Sequence, residues 1–150
     1  MRNALWPGSL ADHDLEIKQF FEEPDEQLRT FVAEDGDGNL VGFLELDQRK
    51  YAPGCDSSPV PFIEGWYVDP SARQLGVGRA LVREAERWAT AAGFHEIASD
   101  AEIDNEGSHA AHRALGYEEI ERVVCFRRPL QSSAEDLPDS RNHDAGRGRA

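Results

Sequence analysis

The sequence predicts an α/β domain built on a mixed central sheet that is flanked by helices. Apolar segments follow the order hairpin, strand, helix, strand, helix, strand. Two strands that are joined through a helix pair in parallel, whereas the strands of a hairpin pair antiparallel. A length of 150 residues suits one domain with a single core. We expect this domain to occupy residues 1–130.

The first elements are a helix and a hairpin. Asp12 is a candidate N-cap for a helix over residues 13–21. Apolar runs at residues 30–34 and 40–46 flank the turn formers of residues 35–39, a pattern that predicts a hairpin.

The central strand covers residues 62–68, and Asp69-Pro70 ends it. The helix that follows ends at Ala92 before a glycine. Residues 95–100 then predict a short strand parallel to the central one.

A second helix is expected to open at Asn105 or Ser108 and to close at Gly116. Residues 118–127 alternate apolar and polar side chains and predict a last strand. From residue 131 onwards almost no apolar side chain remains, so we expect a disordered tail over residues 131–150.

Composition limits the class of partner. The chain has 29 Asp and Glu against 16 Lys and Arg, a formal charge of -13 that disfavours nucleic acid and anionic lipid and favours cations. Cys55 and Cys125 form no C-x-x-C pattern, so no disulfide framework or zinc site is implied. The sequence has no signal-peptide pattern or long apolar run, and we expect a soluble cytoplasmic protein.

A glycine loop joins the central strand to its helix. It reads R-x-x-G-x-G at Arg73, Gly76 and Gly78. Glycines before a helix let backbone N–H groups converge on an anion at the positive helix end. The loop lacks the Lys-Ser/Thr of a triphosphate site, which favours a diphosphate bound without metal. A tight turn with close helix packing is the alternative.

These motifs, with Asn105 and Leu115-Gly116-Tyr117 downstream, resemble the GNAT N-acetyltransferases over roughly residues 5–130. Further segments resemble one group of that superfamily, the aminoglycoside 6′-N-acetyltransferases. They are Leu5-Trp6-Pro7, Tyr51-Ala52-Pro53-Gly54-Cys55, Phe62 to Val68, Ala98-Ser99-Asp100-Ala101, and Ala111 to Tyr117.

The resemblance implies a GNAT-like fold, acetyl-CoA as cosubstrate and a homodimer. That fold normally begins with a strand and a first helix before Leu5-Trp6-Pro7. We therefore expect either a start further upstream or a sheet without its first strand. Acetylation of another amine, such as a polyamine or a peptide N-terminus, is one alternative function, and a non-catalytic coenzyme A-binding module is another.

The resemblance also implies site residues. The main chain of the central strand would pair with the pantetheine arm and supply an oxyanion donor, and the loop would hold the pyrophosphate. The expected cofactor contacts are Trp66, Tyr67, Val68, Arg73, Gln74, Leu75, Gly76, Val77, Gly78, Arg79 and Asn105. The expected acceptor contacts are Trp6, Tyr51, Glu64, Asp100 and Glu121.

Three residues are expected to act in catalysis. An ammonium acceptor must lose a proton before it attacks, and Glu64 and Asp100 on adjacent strands are candidates to bind the cation and accept that proton. Solvated surface carboxylates are the alternative. His112 stands where many GNAT enzymes have a tyrosine that protonates the coenzyme A thiolate, and is a candidate acid. His109 and His112 lack a third ligand, so no metal is expected.

Alternatives also stay open for three of the predicted contacts. Trp6 suits the core as well as the wall of an acceptor pocket, and the residues alone favour the core. Tyr51, in the loop of residues 47–61, either stacks on a sugar ring or anchors that loop. Asn105 either caps its helix or contacts the coenzyme A arm.

Overall fold

The computed structural model describes residues 1–23 and 25–130. The helices are α1 (Arg2–Leu5), α2 (Leu10–Glu22), α3 (Val77–Ala91) and α4 (Glu106–Leu115), with a 3-10 turn at Pro70–Ala72. The strands are β1 (Arg29–Glu34), β2 (Leu40–Arg49), β3 (Val60–Val68) and β4 (Ala98–Ser99). The predicted tail, residues 131–150, lies outside the described residues.

The four strands form one mixed sheet in the order β1-β2-β3-β4. Strands β1, β2 and β3 pair antiparallel, and β4 joins β3 in parallel. The predicted hairpin is confirmed, since Asp35 accepts hydrogen bonds from the backbone N–H groups of Asp37 and Asn39, both at 2.9 Å. The prediction of a mixed sheet flanked by helices is therefore confirmed.

A β-bulge lies in the middle of β3. Ile63 pairs with Leu46 and Gly65 pairs with Glu45, so Glu64 is an extra residue on its strand. Side chains normally alternate between the faces of a strand, and an extra residue shifts that alternation. As a result Ile63 and Trp66, three residues apart, both pack into the core beneath α3.

The two faces of the sheet carry different clusters. Helix α3 buries Leu81, Val82 and Ala85 against one face. The other face carries a smaller cluster around Phe62, which is 2% exposed. The main core thus lies beneath α3, and the opposite face is left for the loop between β2 and β3.

Three predicted elements differ from the structure. Helix α2 begins three residues before the predicted start, because Ser9, and not Asp12, accepts the capping hydrogen bond, from Asp12 N at 3.4 Å. The strand predicted over residues 95–100 is reduced to Ala98–Ser99, since only these residues pair with β3.

The predicted last strand is wrong for the chain as described. Residues 118–130 are all exposed and belong to no strand. A strand needs a ladder of hydrogen bonds with a neighbour, and β4 offers a free edge of only two residues. Phe126, the last residue on the alternating side of the predicted strand, is 93% exposed.

Candidate active site

An open strand edge defines the site. Along one edge β3 pairs with β2 from Val60 to Val68. Along the other it pairs with β4 only at Phe62 and Ile63. The edge from residue 64 to residue 68 is therefore free to take an extended ligand arm as an added strand. The coenzyme A contacts predicted for the main chain of Trp66, Tyr67 and Val68 lie on this free edge.

The glycine loop of residues 73–78 follows β3 and the 3-10 turn. Gln74 and Gly76 both have left-handed backbones, with φ of 62° and 86°. This conformation strains a residue with a side chain but not a glycine, so the loop stores strain at Gln74. Gly76 is the N-cap of α3. Leu75 between them is 75% exposed.

The start of α3 presents free donors. The first helical hydrogen bond runs from Ala80 N to Gly76 O at 3.0 Å, so the N–H groups of Val77, Gly78 and Arg79 precede it. No side chain caps them, and the first turn holds no acidic residue. Free N–H groups and the helix dipole together favour an anion here.

Gly78 allows close helix packing, which the sequence analysis gave as the alternative to anion binding. A Cβ atom at residue 78 would lie 2.9 Å from Cζ2 of Trp66, closer than carbon atoms approach. By contrast, a Cβ at Gly76 would meet nothing within 4 Å. Gly78 therefore lets the first turn of α3 pack on β3, and Gly76 provides the left-handed turn.

A stability prediction follows from Gly78. Gly78→Ala is expected to lower the free energy of unfolding by about 1–3 kcal/mol, since the added methyl group displaces the Trp66 ring. Gly107→Ala, in α4, is the matched control: its Cβ would lie 3.7 Å from the nearest atom, and alanine is the better helix former by about 1 kcal/mol. Urea unfolding of both variants checks the pair, and equal stabilities would contradict the packing role.

One predicted acceptor residue, Glu64, is paired at the bulge with Arg49, which the sequence analysis did not single out. Arg49 donates two hydrogen bonds to Glu64, from Nε to Oε1 at 2.7 Å and from Nη2 to Oε2 at 2.6 Å. Its guanidinium carbon lies 3.5 Å from the centre of the Phe62 ring. Arg49 was missed because the predicted strand ended at residue 46 and left Arg49 in the loop of residues 47–61, whereas β2 continues to Arg49.

The electrostatics around Arg49 bring in Asp100. The hydrogen bonds that Arg49 donates to Glu64 raise the pKa of Arg49, and burial lowers it. The charges of Glu64, Asp100 and Asp47 add to the increase. The charges of three carboxylates therefore act on one guanidinium, and Glu64 is the one in contact with it. The excess negative charge suits a cationic ligand.

The other predicted acceptor residues are placed differently. Trp6 packs beside the bulge, where a Cβ at Gly65 would lie 2.3 Å from its ring, and its ring centre lies 6.0 Å from that of Phe43. Tyr51 is 71% exposed on the loop between β2 and β3. The placement of Glu121 on a strand beside the site is wrong, because it lies in the exposed segment 118–130.

His112 and Asn105 lie on and before α4. The His112 ring stands edge-on to the rings of Trp66 and Tyr117, with 5.4 Å between centres in each pair. Asn105 is the N-cap of α4 and accepts a hydrogen bond from Ser108 N at 3.0 Å. This capping role accounts for Asn105, and its predicted contact with coenzyme A stays a prediction. Arg73 donates from Nε to Val68 O at 3.0 Å and so ties the glycine loop to β3.

Glu96 anchors the loop that carries Tyr51. Its carboxylate accepts hydrogen bonds from the backbone N–H of Asp56 and of Ser57, the latter at 2.7 Å, and from the Ser57 hydroxyl. These bonds hold the pKa of Glu96 below its ordinary value. The loop is thereby held against the segment that leads into β4.

This anchor predicts a pH dependence. A carboxyl group with a lowered folded pKa stabilises the protein above its unfolded pKa, and that contribution is lost as the pH falls through the folded pKa. Glu96→Gln is therefore expected to lower Tm at pH 7, with a difference from wild type that narrows below about pH 4.5. Thermal unfolding of both proteins across this range checks it. A difference that stays constant with pH would contradict the anchor.

Two further properties concern the described part of the chain alone. In residues 1–23 and 25–130, no helix has the length and apolar character that a membrane span requires. Over the same residues, no group of three His, Cys, Asp or Glu side chains is arranged to hold a metal ion.

Comparison with known proteins decides the family. The model of the acetyltransferase (GNAT) family matches residues 1–117. This chain belongs to the GNAT acetyltransferase family. The resemblance to this family that the sequence showed is thereby confirmed.

Several relatives within the GNAT family carry the name of one group of enzymes. An enzyme of Klebsiella aerogenes named aminoglycoside N(6')-acetyltransferase type 1 is 46% identical over 132 residues, which are 87% of each chain. A protein of the same name from Stenotrophomonas maltophilia is 47% identical and covers 89% of this chain and 86% of its own. A solved structure of AAC(6')-Iy in complex with the bisubstrate analogue CoA-S-monomethyl-acetylneamine has a TM-score of 0.78 at 40% identity, with 87% of this chain and 88% of that chain covered.

Proposed function

We propose that this GNAT enzyme transfers an acetyl group from acetyl-CoA to the 6′-amine of aminoglycoside antibiotics and so confers resistance to them. The observation that carries the proposal is the acidic site at the β3 bulge, where Glu64 is ion-paired with Arg49 and the charge of Asp100 also acts on that guanidinium. Polycationic amines are complementary to such a site. Relatives at 46% and 47% identity that bear the name of this activity support it.

The residues of the site suit the cosubstrate. Acetyl-CoA supplies an activated acetyl group when bound. The free edge of β3 orients its arm through main-chain hydrogen bonds, and one N–H of residues 66–68 stabilises the oxyanion. The donors at the start of α3, beside the exposed side chains of Arg73 and Arg79, hold the pyrophosphate.

The two carboxylates have different roles in this proposal. Both oxygens of Glu64 are hydrogen-bonded by Arg49, which keeps Glu64 as a fixed anion that binds the acceptor. Asp100 is exposed, and among residues 1–23 and 25–130 its carboxylate has no hydrogen bond or ion pair. Asp100 therefore accepts the first proton that the ammonium loses before attack.

We also propose a homodimer that works in the cytoplasm. Exposed apolar side chains at Ile120, Val124 and Phe126 and the free edge of β4 support a second copy of the chain as their partner. Cys55 and Cys125 are free thiols, which suits a reducing compartment. Light scattering at micromolar concentration tests the dimer, and a monomeric mass would contradict it.

Thiol release from acetyl-CoA tests the proposed activity with four acceptors in parallel. Turnover is expected with kanamycin. It should fall sharply with paromomycin, which carries a 6′-hydroxyl group and so has no nitrogen to acetylate at that position. Preference for spermidine or a peptide N-terminus would move the assignment to another amine, and binding of acetyl-CoA without turnover would indicate a non-catalytic module.

A further inference from the structure

Ser99 and His112 form a hydrogen-bonded pair. His112 Nε2 lies 3.0 Å from Ser99 Oγ, and His112 Nδ1 lies 2.8 Å from the carbonyl oxygen of Ser108. A carbonyl oxygen only accepts, so Nδ1 carries the hydrogen, and in the neutral ring Nε2 is left as an acceptor for the Ser99 hydroxyl. The shorter contact at 3.0 Å favours donation by Ser99 Oγ to His112 Nε2 over the alternative at 3.4 Å, from Ser99 Oγ to the carbonyl oxygen of Asp100.

The pair lies at the point where β3 and β4 stop pairing. Ser99 is the last residue of β4 and pairs with Ile63, the residue before the bulge at Glu64. Beyond this point β3 continues alone, and α4 brings His112 beside Trp66. Ser99 Oγ therefore lies at the closed end of the open edge that would receive the cosubstrate.

The surroundings of His112 leave one route for a proton. The His112 ring packs edge-on against the rings of Trp66 and Tyr117. Its Nδ1 is hydrogen-bonded to the carbonyl oxygen of Ser108. The remaining nitrogen, Nε2, points at Ser99 Oγ. Burial raises the pKa of the Tyr117 hydroxyl, which keeps that group neutral and disfavours it as a proton donor.

We propose that the Ser99 hydroxyl exchanges protons directly with the reacting atoms, and that His112 acts behind it as the proton reservoir. This inference rests on the proposed function and deepens it. His112 is then a positioning and relay residue, whereas the sequence interpretation made it the acid itself.

The proton balance of the reaction closes through this pair. An ammonium acceptor loses one proton to Asp100 and still carries two as an amine. When nitrogen bonds to the acetyl carbon, one of these leaves through Ser99 Oγ, while the hydrogen of Ser99 moves to His112 Nε2. When the carbon–sulfur bond breaks, its electron pair goes to sulfur, and the proton returns from Nε2 through Ser99 to the thiolate. The products are an amide and a neutral thiol, and the pair is restored.

Magnetic resonance of the ligand-free protein tests the starting state. In ¹⁵N spectra His112 is expected as the neutral tautomer with hydrogen on Nδ1, and Ser99→Ala is expected to shift the Nε2 signal because it removes the hydroxyl that donates to it. A hydrogen on Nε2 in the neutral ring, or an unchanged Nε2 signal in Ser99→Ala, would overturn the pair.

Kinetics test the role. Ser99→Ala is expected to lower kcat by about a hundredfold, at the lower end of the effect of a lost proton-transfer group, with little change in Tm or in the Kd of CoA. Ser99→Thr keeps a hydroxyl and is expected to recover most of the loss. Normal kcat in Ser99→Ala, or no recovery in a folded Ser99→Thr that binds CoA normally, would overturn the relay.

The relay and the proposed function fail in different ways. If wild-type protein acetylates spermidine or a peptide but not kanamycin, the acceptor assignment fails, and the Ser99 variants compared on that other amine still decide the relay. If wild type acetylates kanamycin and Ser99→Ala does so equally fast, the relay fails alone.

Discussion

Asp100→Asn is expected to lower kcat/KM for kanamycin by about a hundredfold, the loss usual for a general base. The substitution keeps the shape of the side chain and removes its charge. The Kd of acetyl-CoA should hardly change, because Asp100 lies after β4, beside Arg49 and away from the glycine loop. Steady-state kinetics measure kcat/KM for kanamycin, and calorimetry measures the Kd of acetyl-CoA.

The same variant should respond less to salt. A carboxylate in the site attracts a polycation through a field that salt screens, so kcat/KM of wild type should fall with ionic strength more steeply than that of Asp100→Asn. Near-normal rates in both Asp100→Asn and Glu64→Gln would show that neither carboxylate serves the reaction. The proposed acceptor substrate would then be replaced by an amine of lower charge.

Gly76→Asp is expected to weaken acetyl-CoA binding by at least about tenfold, which corresponds to about 1.4 kcal/mol of charge repulsion. A Cβ at residue 76 would meet nothing within 4 Å among the described residues, and Asp and Asn are the residues with side chains that best tolerate the left-handed backbone of residue 76. The carboxylate would stand at the helix end where we place the pyrophosphate.

Gly76→Asn is the matched control for this charge. It has nearly the same shape and the same backbone tolerance but no charge, so its Kd for acetyl-CoA should stay closer to that of wild type. Calorimetry on both variants checks the comparison. Equal affinities for Gly76→Asp and Gly76→Asn would contradict the assignment of the anion site to the start of α3.

Local chemistry made much of the fold predictable. The turn formers of residues 35–39 specified the hairpin, and Asn105 and Gly116 specified the ends of α4. Gly76 has a left-handed backbone, which agrees with the tight turn that the sequence analysis gave as an alternative for the glycine loop. These features depend on residues close in sequence, where conformational preference and capping decide the structure.

Other features depend on contacts between distant residues. The ion pair of Arg49 with Glu64 and the contact of Gly78 with Trp66 arise only when β2, β3 and α3 come together. The pairing of Ser99 with His112 likewise needs β4 and α4 in place. Residues 118–127 alternate as a strand does, but alternation specifies a face and does not supply a partner edge.

Mapping the acetylated product of kanamycin is the most direct test of the central claim. Wild-type protein is incubated with acetyl-CoA and kanamycin, and the product is assigned by two-dimensional nuclear magnetic resonance. The acidic site at the β3 bulge and the GNAT cosubstrate site predict a single acetyl group on the 6′-nitrogen. An acetyl group on any other nitrogen, or unmodified kanamycin beside an acetylated polyamine or peptide, would contradict it.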